Sequence, residues 1–321
     1  MSDSITVTAP SRLHFGMFSF GVPTLRQYGG VGVMIDADRT EIQITSAAEF
    51  SCVGTDADRL QQALTAVRAT AWGRDLPACR IEVSAAPPAH VGLGSGTQSS
   101  LAVVAGLRAF MNLPPLDVIE LAHTAGRAKR SAVGLYGFLH GGLIAEAGRL
   151  PHDAVSPLIA AIQLPADWRF VLIAPRGGVG LSGESERAAF AALPSVPPSL
   201  TEELCRIALL DLIPSARSGD FAGFAEAVYR FGYGAGQCFK SHQSGAYATE
   251  QLAALVARIR AAGVAGVGQS SWGPTLFTLH PTQLAAEQFV AYFQTWPNAE
   301  AYNVRVAKPN AGGATVARSP Q

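Results

Sequence analysis

A chain of 321 residues is long enough for about two domains and a sizeable core. Charged residues make up 15% and hydrophobic ones 48%, a balance that excludes a disordered chain. Lys plus Arg and Asp plus Glu are equal at 24 each, so neither a nucleic acid nor an anionic membrane surface is expected as the main partner.

Ile5 and Val7 alternate with Thr6 and Thr8 in a short first strand that is expected to stop at Pro10. Ser11 to Phe20 reads as a second strand, with Arg12 and His14 on one face and Leu13 and Phe15 on the other. Val31 to Asp36 and Thr40 to Thr45 follow as further strands. Asp58 to Trp72 is expected to be helical, because Leu60, Leu64, Val67 and Ala71 fall on one stripe. The alternating strand Arg80 to Ala85 feeds PPAHVGLGSGTQSSLAVVAGLRAF, Pro87 to Phe110. Leu116 to Ser131 then predicts a second helix carrying Lys129 and Arg130 near its end, and Gly141 to Gly148 a closing strand.

The pattern weakens between residues 150 and 168, where Pro151, Pro157 and Pro165 mark a boundary; two domains, 1–160 and 161–321, are expected. Beyond it, Arg169 to Pro175 is a buried strand, followed by helical patterns at Glu184 to Leu193, Leu200 to Ile213 and Asp220 to Phe231. Ser199 and Glu202 have the spacing of a capping box. Phe221, Phe224 and Phe231 recur at helical spacing and are expected in the core. The helix Thr249 to Ala262, strands at residues 263–269 and 274–280, the helix Pro281 to Trp296 and the strand Ala301 to Ala307 complete the order. Without the extra helices this is β-α-β-β-α-β, the split βαβ or ferredoxin-like arrangement.

Within Pro87 to Phe110, Gly92, Gly94 and Gly96 are interleaved with Ser95, Thr97 and Ser99, and an apolar run from Leu101 to Leu107 follows. Such a loop presents unpaired backbone N–H groups at the positive end of a helix dipole, which suits a phosphate or pyrophosphate. The alternative is a glycine- and serine-rich turn before a core helix. Cys52, Cys79, Cys205 and Cys238 lack C-x-x-C spacing and read as reduced thiols of a cytoplasmic protein. MSDSITVTAP shows no export signal, and no apolar run reaches membrane-spanning length.

Residues Pro88 to Ser95, PAHVGLGS, match the P-x-x-x-G-L-G-S-S motif of the GHMP superfamily, from which Gly96 departs. Ala9 to Gly16, APSRLHFG, resembles the superfamily's N-terminal strand motif, and Gly266 to Phe277, GVGQSSWGPTLF, resembles its C-terminal glycine-rich turn. The resemblance spans nearly the whole chain. It implies an α+β two-domain GHMP-kinase-like fold, an N-terminal mixed α/β domain and a C-terminal ferredoxin-like domain, with the active site between them. The segments at residues 12–36, 126–142 and 268–277 are similar to one branch, the β-ribofuranosylaminobenzene 5'-phosphate synthases. That branch condenses phosphoribosyl pyrophosphate with 4-aminobenzoate or 4-hydroxybenzoate, releases pyrophosphate and CO2, and serves methanopterin biosynthesis. The kinases of the superfamily carry a Ser-x-x-Asp whose aspartate is the base; here Ser131-Ala132-Val133-Gly134 places a glycine there.

The resemblance thus implies that Gly92, Gly94, Ser95, Gly96, Thr97, Gln98, Ser99, Ser270 and Ser271 bind substrate pyrophosphate, with Mg²⁺ and without an ATP requirement. Candidates for the chemistry are Arg12, His14, Lys129, Arg130 and His140, and candidate metal ligands are Ser99, Glu184 and Glu186. Plainer roles stand beside these: Arg12 and His14 as paired strand residues, Lys129 and Arg130 as helix-end charges, Glu184 and Glu186 as a solvated helix start. Lys240 and His242 lie in a polar loop that is a weaker candidate. The partners expected are the two small-molecule substrates, with a homodimer as one assembly the reading admits. A kinase of the same fold and a non-catalytic binding protein are the alternatives.

Overall fold

Strand β1 (Ser4–Ser19) and strand β2 (Tyr28–Ser46) form a long antiparallel hairpin in this computed structural model, which describes residues 4–178, 188–243 and 245–319. The four short strands expected here are therefore two. Pro10 does not end the first: it falls at a register shift between Ala9 and Ser11, where its missing N–H interrupts no ladder bond.

Around this hairpin runs a seven-stranded sheet in the order β11-β1-β2-β4-β3, with β5 also on β2 and β6 on β5. Its other strands are β3 (Ser51–Val53), β4 (Cys79–Ala85), β5 (Leu143–Glu146), β6 (Leu158–Ile162) and β11 (Thr315–Ser319). The proline-rich stretch of residues 150–168 thus contains a strand, and the chain's last strand returns to pair with β1. Helices α1 (Ala57–Ala69), α2 (Ser95–Phe110), α3 (Val118–Ala125) and α4 (Val133–His140) accompany this sheet. The α1 stripe Leu60, Leu64 and Val67 is fully buried in one core with Ile5, Val7, Ile42, Ile44, Ile81, Leu101 and Val104. Helix α3 stops at Ala125, capped by Gly126 in the left-handed region, so Lys129 and Arg130 lie in a loop and not on a helix end. The α4 helix was hidden by its two glycines and by its nearly uniform burial, which leaves no polar face to mark a period.

A second sheet has the order β10-β7-β9-β8, from β7 (Arg169–Pro175), β8 (Val267–Gln269), β9 (Leu276–His280) and β10 (Tyr302–Ala307). Every pair is antiparallel, which is the ferredoxin-like arrangement the element order implied. Between β7 and β8 come α5 (Pro198–Arg206), a π-type stretch (Ile207–Leu212), α6 (Ile213–Ser218), α7 (Phe221–Gln237) and α8 (Glu250–Ala261). Helix α9 (Gln283–Gln294) joins β9 to β10. The capping box expected at Ser199 and Glu202 is not formed, because the helix begins one residue earlier on Pro198 with no side-chain cap. Of the helix expected at Glu184 to Leu193, residues 188–191 are helical and the earlier part lies outside the described residues.

The two sheets share a core. Leu13, Phe15, Val31 and Val33 of the hairpin pack in one cluster with Phe170, Leu172 and Phe277 of the second sheet and with Phe224 and Phe231 of α7. Phe15 and Phe277 stack at 5.3 Å between centroids. With Leu13 and Phe15 committed to that core, the alternation of the strand turns Arg12 and His14 toward α2 and α4.

Candidate active site at the start of the glycine helix

Helix α2 begins after Gly94, whose φ of +75° is accessible to glycine at little cost, and its first turn holds no acidic residue. Its opening N–H groups therefore face the approach to the loop without a built-in counter-charge. The loop is held from two sides. The Arg12 N–H donates to the Leu93 carbonyl at 2.9 Å. Ser270 Oγ donates to the Gly92 carbonyl at 2.7 Å and accepts from the His14 N–H at 3.0 Å. The Ser271 N–H donates to the His14 carbonyl at 3.0 Å. The three sequence motifs, far apart in the chain, are thus joined by hydrogen bonds into one site.

The Arg12 side chain lies along the loop. A Cβ built on Gly94 would sit 3.2 Å from Arg12 Nε, and one on Gly134 would sit 3.5 Å from Arg12 Nη1 and 3.1 Å from Thr97 Cγ2. Gly134, in the first turn of α4, is therefore a direct neighbour of both Arg12 and Thr97. Gln98, fully buried, donates from Nε2 to the Gly134 carbonyl at 2.9 Å, and its Oε1 has no hydrogen-bond partner among the described residues. Ser95 and Ser99 are buried, while Gly96 and Thr97 are half-buried.

His14 is buried, and its Nε2 lies 3.1 Å from Ser131 Oγ. Burial, followed by the charge of Arg12, pushes its imidazole down to about 3, so it is neutral near pH 7. Beneath Ser131 lies Glu146, fully buried, whose Oε1 accepts from the Ala132 N–H at 3.0 Å and whose Oε2 accepts from the Gly148 N–H at 3.2 Å. Burial raises its carboxyl above the ordinary range, with those hydrogen bonds working the other way. A crevice lined by His14, Met17, Phe239, Gln269, Ser271 and Trp272 opens beside this point.

Other candidates lie further out. Lys129 is exposed, with its carbonyl accepting from Arg149. Arg130 stands 4.8 Å over the Phe190 ring. His140 is exposed at the far end of α4, stacked against Tyr136. Lys240 and His242 are exposed, and Glu184 and Glu186 lie outside the described residues. Sequence reasoning missed Arg59 and Arg127. The Arg59 guanidinium covers Gly96 so closely that a Cβ there would collide with it. Arg127 donates from Nε and Nη2 to Ser100 Oγ at 3.1 and 2.7 Å. An arginine in the first turn of α1, where dipoles favour acidic residues, is the one local sign that could have singled out Arg59. No cluster of three His, Cys, Asp or Glu side chains occurs among the described residues, so they build no metal cage of their own. Nor is any helix among them long and apolar enough to cross a membrane.

The fold and the glycine-helix site define a GHMP-superfamily protein. The family models for the GHMP kinases N terminal domain and the GHMP kinases C terminal match residues 58–142 and 212–298. Two solved structures share the fold at low identity. The homoserine kinase from Cytophaga hutchinsonii aligns at a TM-score of 0.69 and 18% identity, covering 98% of this chain and 97% of that one. The mevalonate-3-kinase from Thermoplasma acidophilum aligns at 0.71 and 13%, covering 100% of both. In sequence, the β-ribofuranosylphenol 5'-phosphate synthase of Archaeoglobus fulgidus is 32% identical over 70% of this chain and 74% of its own length. The synthase of the same name from Methanothermobacter thermautotrophicus is 30% identical over 86% and 88%. The chain belongs to the β-ribofuranosylphenol 5'-phosphate synthase family.

Proposed function

We propose that this protein condenses phosphoribosyl pyrophosphate with 4-hydroxybenzoate or 4-aminobenzoate, releasing pyrophosphate and CO2 and forming a C-riboside 5'-phosphate. The observation that carries the reading is Gly134. In a chain of this family, the position that adjoins Arg12 and the glycine helix has no side chain to take a proton from a hydroxyl. The kinase alternative needs such a base.

The proposed chemistry does not. The bond between C1' of the ribose and the pyrophosphate oxygen breaks, and its electron pair leaves with pyrophosphate. The benzoate ring carbon that bears the carboxylate, made electron-rich by the para substituent, bonds to C1'. The carbon–carboxylate bond then breaks, CO2 departs, and that electron pair restores the aromatic ring. No proton has to be removed from the nucleophile first. The protein's part is to hold the anion, keep water from the sugar and bind the acid. Backbone N–H groups at Gly94 to Gly96 and the hydroxyls of Ser95, Thr97 and Ser99 suit the pyrophosphate. Arg12 offers a planar fork for a carboxylate or the 5'-phosphate. The crevice beside His14 has Phe239 and Trp272 for an aromatic ring, and neutral His14 adds no competing charge there.

A magnesium ion belongs to the proposal as a companion of the pyrophosphate, held mainly by phosphate oxygens and water, with Ser99 as a candidate ligand. The division into domains 1–160 and 161–321 is likewise proposed, with β11 crossing back to the first sheet. Incubation with phosphoribosyl pyrophosphate, Mg²⁺ and carboxyl-labelled benzoate should release labelled CO2. ATP consumption that depends on an added metabolite, without labelled CO2, would overturn the reading.

A further inference from the structure

Two arginines that the chain order does not connect meet on one side of the glycine helix. Arg59 comes from the first turn of α1 and covers Gly96, while Arg127 comes from the loop after α3 and grips the Ser100 hydroxyl. Gly96 and Ser100 are four residues apart on α2, hence on the same face, and Ser100 Oγ donates to the Gly96 carbonyl at 3.1 Å. Arg12 lies elsewhere, against Gly94 and Gly134. The turn that opens α2 therefore carries a guanidinium on each side, and a second one behind Arg59.

That arrangement is unfavourable by itself. Two guanidiniums close together repel, and the positive end of a helix dipole repels both. Burial, followed by the charge of Arg59, lowers Arg127 to about 10, with Asp56 opposing. Asp56 is 3.4 Å from Arg59 and is the carboxylate whose charge offsets both arginines. Asp58 in the same turn of α1 is exposed. Cations gathered in this way at a helix start, with one carboxylate paired to Arg59, are compensated when a multiply charged anion is present.

We infer that Arg59 and Arg127 receive the departing pyrophosphate on the Gly96–Ser100 face of α2, while Arg12, on the Gly94–Gly134 face, serves the aromatic acid. The site then has a direction. Pyrophosphate leaves toward α1 and α3, and the acid approaches from β1 and α4, so nucleophile and leaving group lie on opposite sides of C1'. This rests on the proposed reaction for the identity of the two ligands. The pyrophosphate pocket itself can be tested without turnover.

The experiment is titration calorimetry of the full chain with inorganic pyrophosphate, paired with Michaelis constants for both substrates. Arg59→Gln should weaken pyrophosphate binding by tenfold or more, about what losing a hydrogen bond to a charged group costs. It should raise the Michaelis constant for phosphoribosyl pyrophosphate and leave that for the benzoate within about twofold. Arg127→Lys keeps the charge but loses the fork on Ser100, and should give a smaller loss of the same kind. Arg206→Gln, at an exposed arginine of α5 paired with Asp211, removes the same charge and controls for net charge. Thermal unfolding checks that each variant is folded. Unchanged pyrophosphate affinity in folded Arg59→Gln, or an equal loss in Arg12→Gln, would overturn the inference. Pyrophosphate binding that depends on Arg59, in a protein that releases no labelled CO2, would instead sink the proposed reaction and leave the anion pocket standing.

Discussion

Gly134 sits in the first turn of α4 with a negative φ, so its replacement by other residues is not barred by the backbone. A Cβ there is tight against Thr97 Cγ2 at 3.1 Å, a fit that a small shift of the threonine accommodates. Gly134→Ala is therefore expected to fold, aided by the helix propensity of alanine. Gly134→Asp places a carboxylate beside the Arg12 guanidinium, pairs with it and repels the benzoate. Riboside formation should fall by about thirtyfold or more, the effect of about 2 kcal/mol lost with a hydrogen-bonded charge pair. No kinase should appear, and coupled assays for CO2 and for ADP would show it; full synthase activity in the Asp variant would contradict the role given to Arg12. The buried histidines make a second prediction. His14 and His280 are held neutral by burial, at about 3 and about 4. An unfolded chain takes up these protons near pH 6.5, whereas the folded one does so only well below. Stability should thus fall as pH drops from about 6.5 toward 4, by on the order of a few kcal/mol. Melting temperatures from pH 7 to pH 4.5 would record this. The double variant His14→Asn, His280→Asn should flatten the slope whatever its absolute stability.

At the scale of elements, the glycine loop depends on a turn from the other half of the chain. Ser270 Oγ links the Gly92 carbonyl to the His14 N–H, and the Ser270 carbonyl itself lies against Gly92, where a Cβ would come within 2.6 Å. Ser270→Ala leaves both partners without the hydroxyl, at a cost of about 1–3 kcal/mol. We expect the loss to appear as lower thermal stability and as a raised Michaelis constant for phosphoribosyl pyrophosphate, with little change for the benzoate. A variant that loses stability while both constants stay fixed would show that the loop keeps its shape unaided. Glu146 does comparable work beneath α4. Its carboxylate takes the Ala132 N–H, which no earlier helical residue could accept, and so fixes where α4 begins.

At the scale of the whole molecule, the two sheets do not have separate interiors. Phe15 of the first packs on Phe277 of the second, and α7 closes the same cluster. Unfolding by calorimetry should accordingly be one transition and not two. Phe277→Ala, at a fully buried position, should cost about 3–5 kcal/mol and lower that single transition. Two well-separated transitions in the parent protein would show that the shared cluster is not what couples the halves. Strand β11 works in the same direction, since it lies beyond the second sheet in sequence and pairs with β1 of the first.

Local pattern by itself determined much of this protein. Alternation marked β4 and parts of the hairpin, a continuous apolar run marked β7, helical spacing marked α1 and α8, and the element order implied the ferredoxin-like sheet. The glycine loop before an apolar helix was also legible from residue type at fixed spacing, whereas the missing carboxylate at position 134 was visible only through the resemblance to the superfamily's Ser-x-x-Asp motif. What only the tertiary structure decided has one cause: it concerns partners distant in sequence. β6 reads LIAAI, apolar at every position, and β11 is exposed throughout, so neither shows the apolar–polar alternation that would announce a strand; each pairs with a neighbour that offers an open edge. Arg59 and Arg127 look like ordinary surface arginines until α1 and the loop after α3 are placed against Gly96 and Ser100. Glu146, 12 residues beyond Gly134 in the sequence, comes to lie under Ser131 only when β5 pairs with β2. Charge, burial and proximity to the loop are properties of that packing, and no stretch of the chain carries them alone.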